Sequence, residues 1–427
     1  MKRRMGFLEG SMYAGRETAV NLVFSVSLEG FLVRKNVEDA LVKIQFRHPL
    51  LKVCVQEDDQ QIPWYVSPEI SEPISLRIVE RENNERWKAE SEAEWATPFA
   101  METGPLARLV WVRSSDYSEF LLVCHHCICD ATSVINLMGE LLELIDSPQK
   151  NRSAYRQLSV KQLIPENIKN STLNIVTGKF LYGATRVYLS AVKGKKEIRK
   201  DHFYSLNWKL GKTQTEAVLK KCREEGISIN TVLCLVFLEA FKKVLALKGK
   251  RRLFCSVDIR RFLPEIGPDH LFPFPVMIDL SVEKNDALEF WEQAKRLREK
   301  LYSGIDKTDA GKMLMYTEYL VPLLPKSVCY AKAAKGPHDF TFSNMGRIPL
   351  KEEYKSFRIR SVSSPASRFP MGNPTKIATS TFAEQIDFVF TSEEGFLKHK
   401  QALAIKETAM EMLLNQVYNN ESVLSYE

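Results

Sequence analysis

The run Leu121-Leu122-Val123-Cys124-His125-His126-Cys127-Ile128-Cys129-Asp130-Ala131 constrains this chain more than any other stretch. It opens as an apolar segment of strand length and closes on two histidines and an aspartate. From residue 132 to about residue 145 the apolar side chains recur at helical spacing. A buried strand that passes directly into a helix belongs to a layered architecture of sheet and helices. A side chain at the end of such a strand is held rigidly and can face a cleft. On an extended backbone His125 and His126 point to opposite faces. Only one of them can enter a given cleft, and the other must be satisfied inside the wall. The rest of the chain reads as the scaffold and second wall of a site built around His126.

With 427 residues the chain is long for one core, and two domains are the default expectation. The first half reads as strands at about 19–28, 50–55, 64–66, 74–79, 107–112 and 120–126. Helices are expected after Asn36 as far as Arg47-His48, where Pro49 disfavours helical geometry before it, and over 84–95. The loop Pro98-Phe99 to Gly104-Pro105-Leu106 feeds the two central strands. Residues 147–170 lose the pattern and read as a linker. A helix over 173–192 follows, with a basic run at 193–200. It suits either a membrane-surface helix or a crossover helix packed between domains with a solvated charged end, and the second is the expected one.

The second half repeats this order of elements without repeating residues. Strands are expected at 204–210, 253–259, 275–280, 340–343, 357–362, 377–382 and 385–390. Helices are expected after a capping box at Thr213 to Glu216, after Asn230 as a cap, and after Asn285 as a cap; a last helix spans about 396–417. The helix over 231–247 is apolar nearly all round in its first part, which requires deep burial. The alternation of elements predicts a mixed α/β protein, divided at residues 1–165 and 166–427.

Composition narrows the function. A 44% apolar and 26% charged chain is an ordinary globular protein. No apolar run approaches the ~20 residues of a membrane span, and the basic start lacks the apolar core of a signal peptide. A cytoplasmic location is expected, with membrane association not expected. Sixty basic against 53 acidic residues give +7. This permits an anionic partner such as a phosphate-bearing cofactor or an acidic carrier protein. No clustered basic and aromatic pattern indicates a nucleic-acid partner.

His126 is suited to take a proton near neutral pH from a hydroxyl or amine that attacks a carbonyl. The cluster Cys124, His125, His126, Cys127 and Cys129 resembles a metal site only in composition. Neighbours on one strand diverge, whereas zinc needs about four convergent ligands, so no metal is expected. A nucleophilic role for Cys127 or Cys129 lacks a visible activating neighbour. Asp130 suits two roles, orienting His126 or standing at the strand–helix junction in a pair with Arg260 from Val257-Asp258-Ile259-Arg260. The structural pair is the expected one.

The motif His125-His126-x-x-x-Asp130 resembles the signature of the condensation-domain and chloramphenicol acetyltransferase-like superfamily of acyltransferases. Further landmarks resemble that group in the expected order: Arg47-His48-Pro49-Leu50-Leu51, Pro98-Phe99 with Gly104-Pro105-Leu106-Ala107-Arg108, Val257-Asp258-Ile259-Arg260, and Phe342-Ser343-Asn344-Met345-Gly346. The resemblance covers about residues 20–389. It implies two similar α/β halves, an α+β sandwich arranged as a V, with His126 in a central tunnel. It implies a free-standing acyltransferase of secondary metabolism, similar to alcohol acetyltransferases and polyketide-associated acyltransferases, which moves an acyl group from a thioester to an alcohol or amine. The donor is expected to be acyl-coenzyme A or a phosphopantetheinyl arm on an acyl or peptidyl carrier protein, with no permanently bound cofactor. The alternative is an inactive module of the same fold that binds a carrier protein or a lipid.

The catalytic candidates are His126 as general base, its neighbour His125, Asp130, and Asn344 as an oxyanion donor. Ser343 on the same loop is the other candidate for that last role, and the Ser-Asn-x-Gly loop suits a mere tight turn equally well. Arg260 and Asp258 are expected as structural support, and Ser343 and Ala131 as substrate-facing positions. The family usually has glycine after the aspartate. The methyl group of Ala131 is expected to narrow substrate approach or to shift the His126 loop.

Overall fold

The computed structural model describes residues 2–192, 202–267, 269–273, 275–283, 288–369 and 371–418. Its strands form three sheets. A small antiparallel sheet has the order β1 (Lys2–Arg4), β4 (Pro63–Val66), β3 (Cys54–Glu57). A five-stranded sheet runs β12 (Phe357–Ser367), β2 (Asn21–Gly30), β7 (Tyr117–His125), β6 (Ala107–Arg113), β5 (Ser75–Glu80). All of its pairs are antiparallel except β5–β6. A six-stranded sheet runs β10 (Pro275–Ser281), β9 (Arg252–Asp258), β11 (Phe340–Arg347), β13 (Lys376–Phe382), β14 (Gln385–Glu393), β8 (Phe203–Leu210). There β11 pairs in parallel with both β9 and β13.

The strand that leads to the histidines is buried from Ser118 to His125, which explains its unbroken apolar reading. It lies between β2 and β6, with Asn21 opposite His125. The helix Ala131–Asp146 presses Val134, Leu137, Met138, Leu141 and Ile145 into the same core. In the second half the helix Ile229–Leu245 is buried along Thr231–Leu238. Its Phe237 and Phe241 meet Phe340, Phe342, Phe388 and Phe390 of the six-stranded sheet.

One element crosses from late in the chain to the early sheet. β12 lies at the edge of the five-stranded sheet, where it pairs with β2. Its Ala366 carbonyl accepts from Trp95 Nε1 at 2.9 Å. On the other side the Ser364 amide donates to Asp387 Oδ1 of β14 at 2.5 Å, and its hydroxyl meets that of Ser380 on β13 at 2.8 Å. Ala378, Phe382 and Val389 of the six-stranded sheet join the core of the first half. A continuous apolar and hydrogen-bonded seam therefore joins the two large sheets.

Several local expectations are corrected. The helix Arg34–Arg47 starts before Asn36, with Val33 as its cap residue. The helix Lys212–Glu224 starts at Gly211 without a side-chain cap, and Thr215 Oγ1 instead donates to the Leu210 carbonyl. Ser228, not Asn230, caps the next helix, because its hydroxyl is the one that accepts the Thr231 amide. Residues 160–169 of the expected linker form two short helices, Val160–Leu163 and Glu166–Lys169, whose Val160, Leu163 and Ile164 are buried with Leu263 and Leu314. The helix Thr172–Ala191 is not sandwiched between domains. Only Asn174 and Gly178 are buried, while Leu173, Val176, Phe180, Val187 and Tyr188 are exposed. The basic run at 193–200 and Asn285 lie outside the described residues. No helix among the described residues is long and apolar enough to cross a membrane.

Candidate active site

His126 sits one residue past the end of β7, in the turn that leads to the helix Ala131–Asp146. Its amide donates to the Val20 carbonyl at 2.8 Å. The turn is braced by Tyr65, whose hydroxyl donates to the Cys127 carbonyl at 2.6 Å. The imidazole Nδ1 lies 2.8 Å from the Cys129 carbonyl oxygen. A carbonyl can only accept, so Nδ1 carries the hydrogen in this contact. In the neutral ring the free lone pair is then on Nε2. Burial pulls the His126 pKa down to about 4, helped by the positive charge of Lys376; the Cys129 carbonyl and Asp130 act the other way without overcoming it. At neutral pH the ring is therefore a neutral base.

Asp130 does not orient this imidazole, since the Cys129 carbonyl occupies Nδ1. Asp130 instead caps the following helix, its Oδ1 accepting the Ser133 amide at 2.9 Å. Arg260 then grips both carboxylate oxygens, Nη1 to Oδ2 at 2.7 Å and Nη2 to Oδ1 at 3.0 Å. The same guanidinium reaches Ser133 Oγ at 2.8 Å and the Phe272 carbonyl at 3.1 Å. Asp258 supports it from behind: Oδ1 accepts the Arg260 amide at 2.8 Å, and Oδ2 accepts from Thr132 Oγ1 at 2.9 Å. A second clamp holds the helix farther along. Glu140 accepts from Arg47 Nη1 at 2.5 Å and meets His48 Nε2 at 3.0 Å.

His125 is a correction among the catalytic candidates. It is 1% exposed and stands within the wall. Its Nδ1 accepts the Cys127 amide at 3.3 Å and lies 3.0 Å from the Cys127 sulfur, with the Phe99 ring against its edge. Burial first, then the neighbouring His126, lowers its pKa to about 3. Burial likewise pushes the Cys127 and Cys129 thiols up, so neither is a thiolate nucleophile at neutral pH. Among the described residues no group of three or more His, Cys, Asp or Glu side chains is placed to hold a metal ion.

His126 opens onto a cavity of about 400 Å³. Leu22, Asp130 and Ala131 contribute from the first half, and Met277, Ser343 and Ala378 from the second. The Ala131 methyl is thus at the cavity wall. Ser343 and Met345 both line it, whereas Asn344, between them on β11, is not among the lining residues. Strand alternation turns Asn344 away, and its Oδ1 accepts the Gly346 amide at 2.8 Å. Asn344, expected as an oxyanion donor, thus does not line the cavity, whereas Ser343 does. Lys376, His338 and Thr391 also line the cavity, and none was visible as a site residue. Each stands at or near a strand end among apolar residues, without a motif to single it out.

Comparison with solved structures decides the fold. The trichothecene 15-O-acetyltransferase TRI3 from Fusarium sporotrichioides aligns with a TM-score of 0.74 at 14% identity, over 98% of this chain and 96% of that one. The condensation domain of the Monacolin K polyketide synthase MokA aligns with a TM-score of 0.68 at 11% identity, over 97% of each chain. The chain has the condensation-domain fold. Residues 1–169 also match the condensation-domain family by sequence. That matched segment of the condensation-domain fold includes the whole His-His-x-x-x-Asp turn and its helix. Gramicidin S synthase 2 of Brevibacillus brevis is 28% identical over 128 residues, which is 30% of this chain and 3% of that protein. The hybrid PKS-NRPS synthetase xenE of Xenoacremonium sinensis is 23% identical over 160 residues, 37% of this chain and 4% of that protein. The chain thus corresponds to only a small part of the length of these relatives.

Proposed function

We propose that this protein is an acyltransferase that moves an acyl group from a thioester, on coenzyme A or on a carrier-protein arm, to an alcohol or amine. The observation that carries this reading is the His126 Nδ1 contact with the Cys129 carbonyl at 2.8 Å. It leaves Nε2 as the ring's only proton acceptor, in a cavity large enough for a small acyl or acceptor group. The acceptor hydroxyl or amine gives its proton to Nε2 as its oxygen or nitrogen bonds to the thioester carbonyl carbon. The resulting oxyanion needs a donor, and Ser343 Oγ is the side chain of the Ser-Asn-x-Gly loop available for it. Collapse of the tetrahedral intermediate breaks the carbon–sulfur bond. The thiolate leaves and takes the proton back from the imidazolium. No covalent enzyme intermediate and no bound metal or cofactor is needed, since the thioester is itself a substrate. The Asp130–Arg260 pair fixes the turn and helix around His126 without taking part in proton transfer.

The test is a panel of acyl-coenzyme A and acyl-pantetheine donors offered with alcohol and amine acceptors, reading free thiol and acylated product together. Acceptor-dependent thiol release supports the reading. Donors that bind without any turnover would instead assign the chain as a binding module of this fold.

A further inference from the structure

The cavity has a polar end that proton transfer at His126 does not use. Lys376 opens β13 on the same face as Ala378, opposite Ile377, which is turned into the aromatic core of the second half. Its Nζ donates to Ser367 Oγ at 2.9 Å and lies 4.7 Å from the centre of the Phe369 ring. Among the described residues no carboxylate stands within ion-pairing distance of it, and burial alone brings its pKa down to about 7. Directly across the antiparallel ladder is Thr391. It is 1% exposed, and its Oγ1 has no hydrogen-bond partner among the described residues. His338 lines the same cavity, and its Nδ1 likewise lacks a partner among them. The Lys376 charge is close enough to help depress the pKa of both His338 and His126.

Each of these groups is costly to keep as it stands. A buried donor without a partner loses its solvation uncompensated, and a buried charge without a counter-ion loses more. Their convergence on one cavity indicates a ligand that satisfies them together. Residues directly opposite on an antiparallel ladder have Cβ atoms only about 5 Å apart, so one carboxylate can accept from Lys376 Nζ and Thr391 Oγ1 at once. The rest of such a ligand would lie against Phe254, Met277, Met345 and Met371. A phosphate dianion is a poorer match for one ammonium and one hydroxyl, because phosphate recognition favours forked Arg contacts or several backbone amides.

We propose that Lys376 and Thr391 form the anion-binding end of the cavity and hold the carboxylate of a hydroxy- or amino-carboxylic acid acceptor whose nucleophile faces His126. The assignment to the acceptor rests on the acyl-transfer reading, whereas the anion subsite itself needs no turnover.

Equilibrium titration with decanoate and with decanamide, matched in chain length and different in charge, tests the subsite. The expected result is that the full-length protein prefers decanoate by about tenfold or more. Lys376→Met removes the preference and Thr391→Val reduces it, with both variants keeping the wild-type far-ultraviolet dichroism. No preference in the wild type, or an undiminished preference in Lys376→Met, overturns the subsite. This readout survives failure of the His126 mechanism, since it requires binding only. A second arm compares 3-hydroxybutanoate with 3-hydroxybutanamide as acceptors of a hexanoyl thioester. A lower KM for the acid that is lost in Lys376→Met, with kcat changed less, supports the acceptor assignment. A preference that follows a carboxylate on the acyl donor instead overturns that assignment while leaving the subsite in place.

Discussion

Asp130 and Arg260, 130 positions apart in the sequence, meet through two parallel hydrogen bonds of 2.7 and 3.0 Å. One carboxylate therefore caps the helix after the histidine turn and fastens that turn to the end of β9. Both side chains are mostly buried, 12% and 9% exposed. Removing one partner leaves the other charged and desolvated, which costs about 3–5 kcal/mol. Arg260→Ala is expected to lower the free energy of unfolding measured in urea by an amount of that order. Arg260→Lys recovers only part of it, because an ammonium cannot bond both oxygens in the planar fork of a guanidinium. Equal midpoints for wild type and Arg260→Ala would show that the pair does not hold the turn.

The His126 ring should titrate far below an ordinary imidazole. Its pKa is lowered to about 4 by burial and by the charge of Lys376. Following the His126 Hε1 resonance by NMR should show a neutral ring down to about pH 5. In Lys376→Met the midpoint moves upward, since one of the two depressing causes is gone. A midpoint near 6.5 in the wild type would contradict the buried, neutral base.

Acid stability follows from the same burial. His125 and His126 have folded pKa values of about 3 and about 4, below the ~6.5 of an exposed imidazole. Between those values and 6.5 the unfolded chain binds more protons than the folded one, so stability rises with pH and is lost as pH falls. Each group contributes a slope of up to about 1.4 kcal/mol per pH unit in that window. Urea unfolding at pH 7, 6 and 5 measures the slope. Replacing His125 by Gln, which keeps an acceptor for the Cys127 amide, should make it shallower.

Lys376 gives the opposite variant a gain. Its folded pKa of about 7 lies below the ordinary 10.5, so the charged form is penalised on folding. The penalty is full below pH 7 and fades as pH rises toward 10.5. Lys376→Met is expected to melt several degrees higher than wild type at pH 7, with the difference shrinking by pH 9.5. A variant less stable than wild type at pH 7 would mean that the ammonium is already satisfied in the folded protein.

Much of this arrangement was legible in the sequence where one local rule sufficed. The uninterrupted apolar run before His125 reads as a buried strand, and the helical spacing after Asp130 follows directly. Asp130 and Arg260 were readable as complementary charges at two element junctions. The opposite facing of His125 and His126 follows from strand alternation, and His126, the one expected in the cleft, lines the cavity while His125 stands in the wall. What was hidden depends on long-range placement. Nothing local shows that β12 leaves its own half to pair with β2, or that Lys376 and Thr391 face each other across a ladder. Cap positions slipped by a few residues: Asn36 and Asn230 have the right chemistry, but Val33 has the extended backbone of a cap, and Ser228 has both that backbone and the accepting hydroxyl. The helix Thr172–Ala191 has an apolar stripe like any packed helix, yet its neighbours cover only the strip around Asn174 and Gly178.

The proposed function turns on whether Nε2 of His126 receives the acceptor's proton. It is tested most directly by single-turnover thiol release from an acyl-pantetheine thioester, comparing wild type with His126→Ala at equal donor occupancy and with the fold checked by thermal melting. The expected result is a loss of about 10²–10⁴-fold in the acceptor-dependent rate with donor binding unchanged. An acceptor-dependent rate in His126→Ala within about twofold of wild type would contradict it.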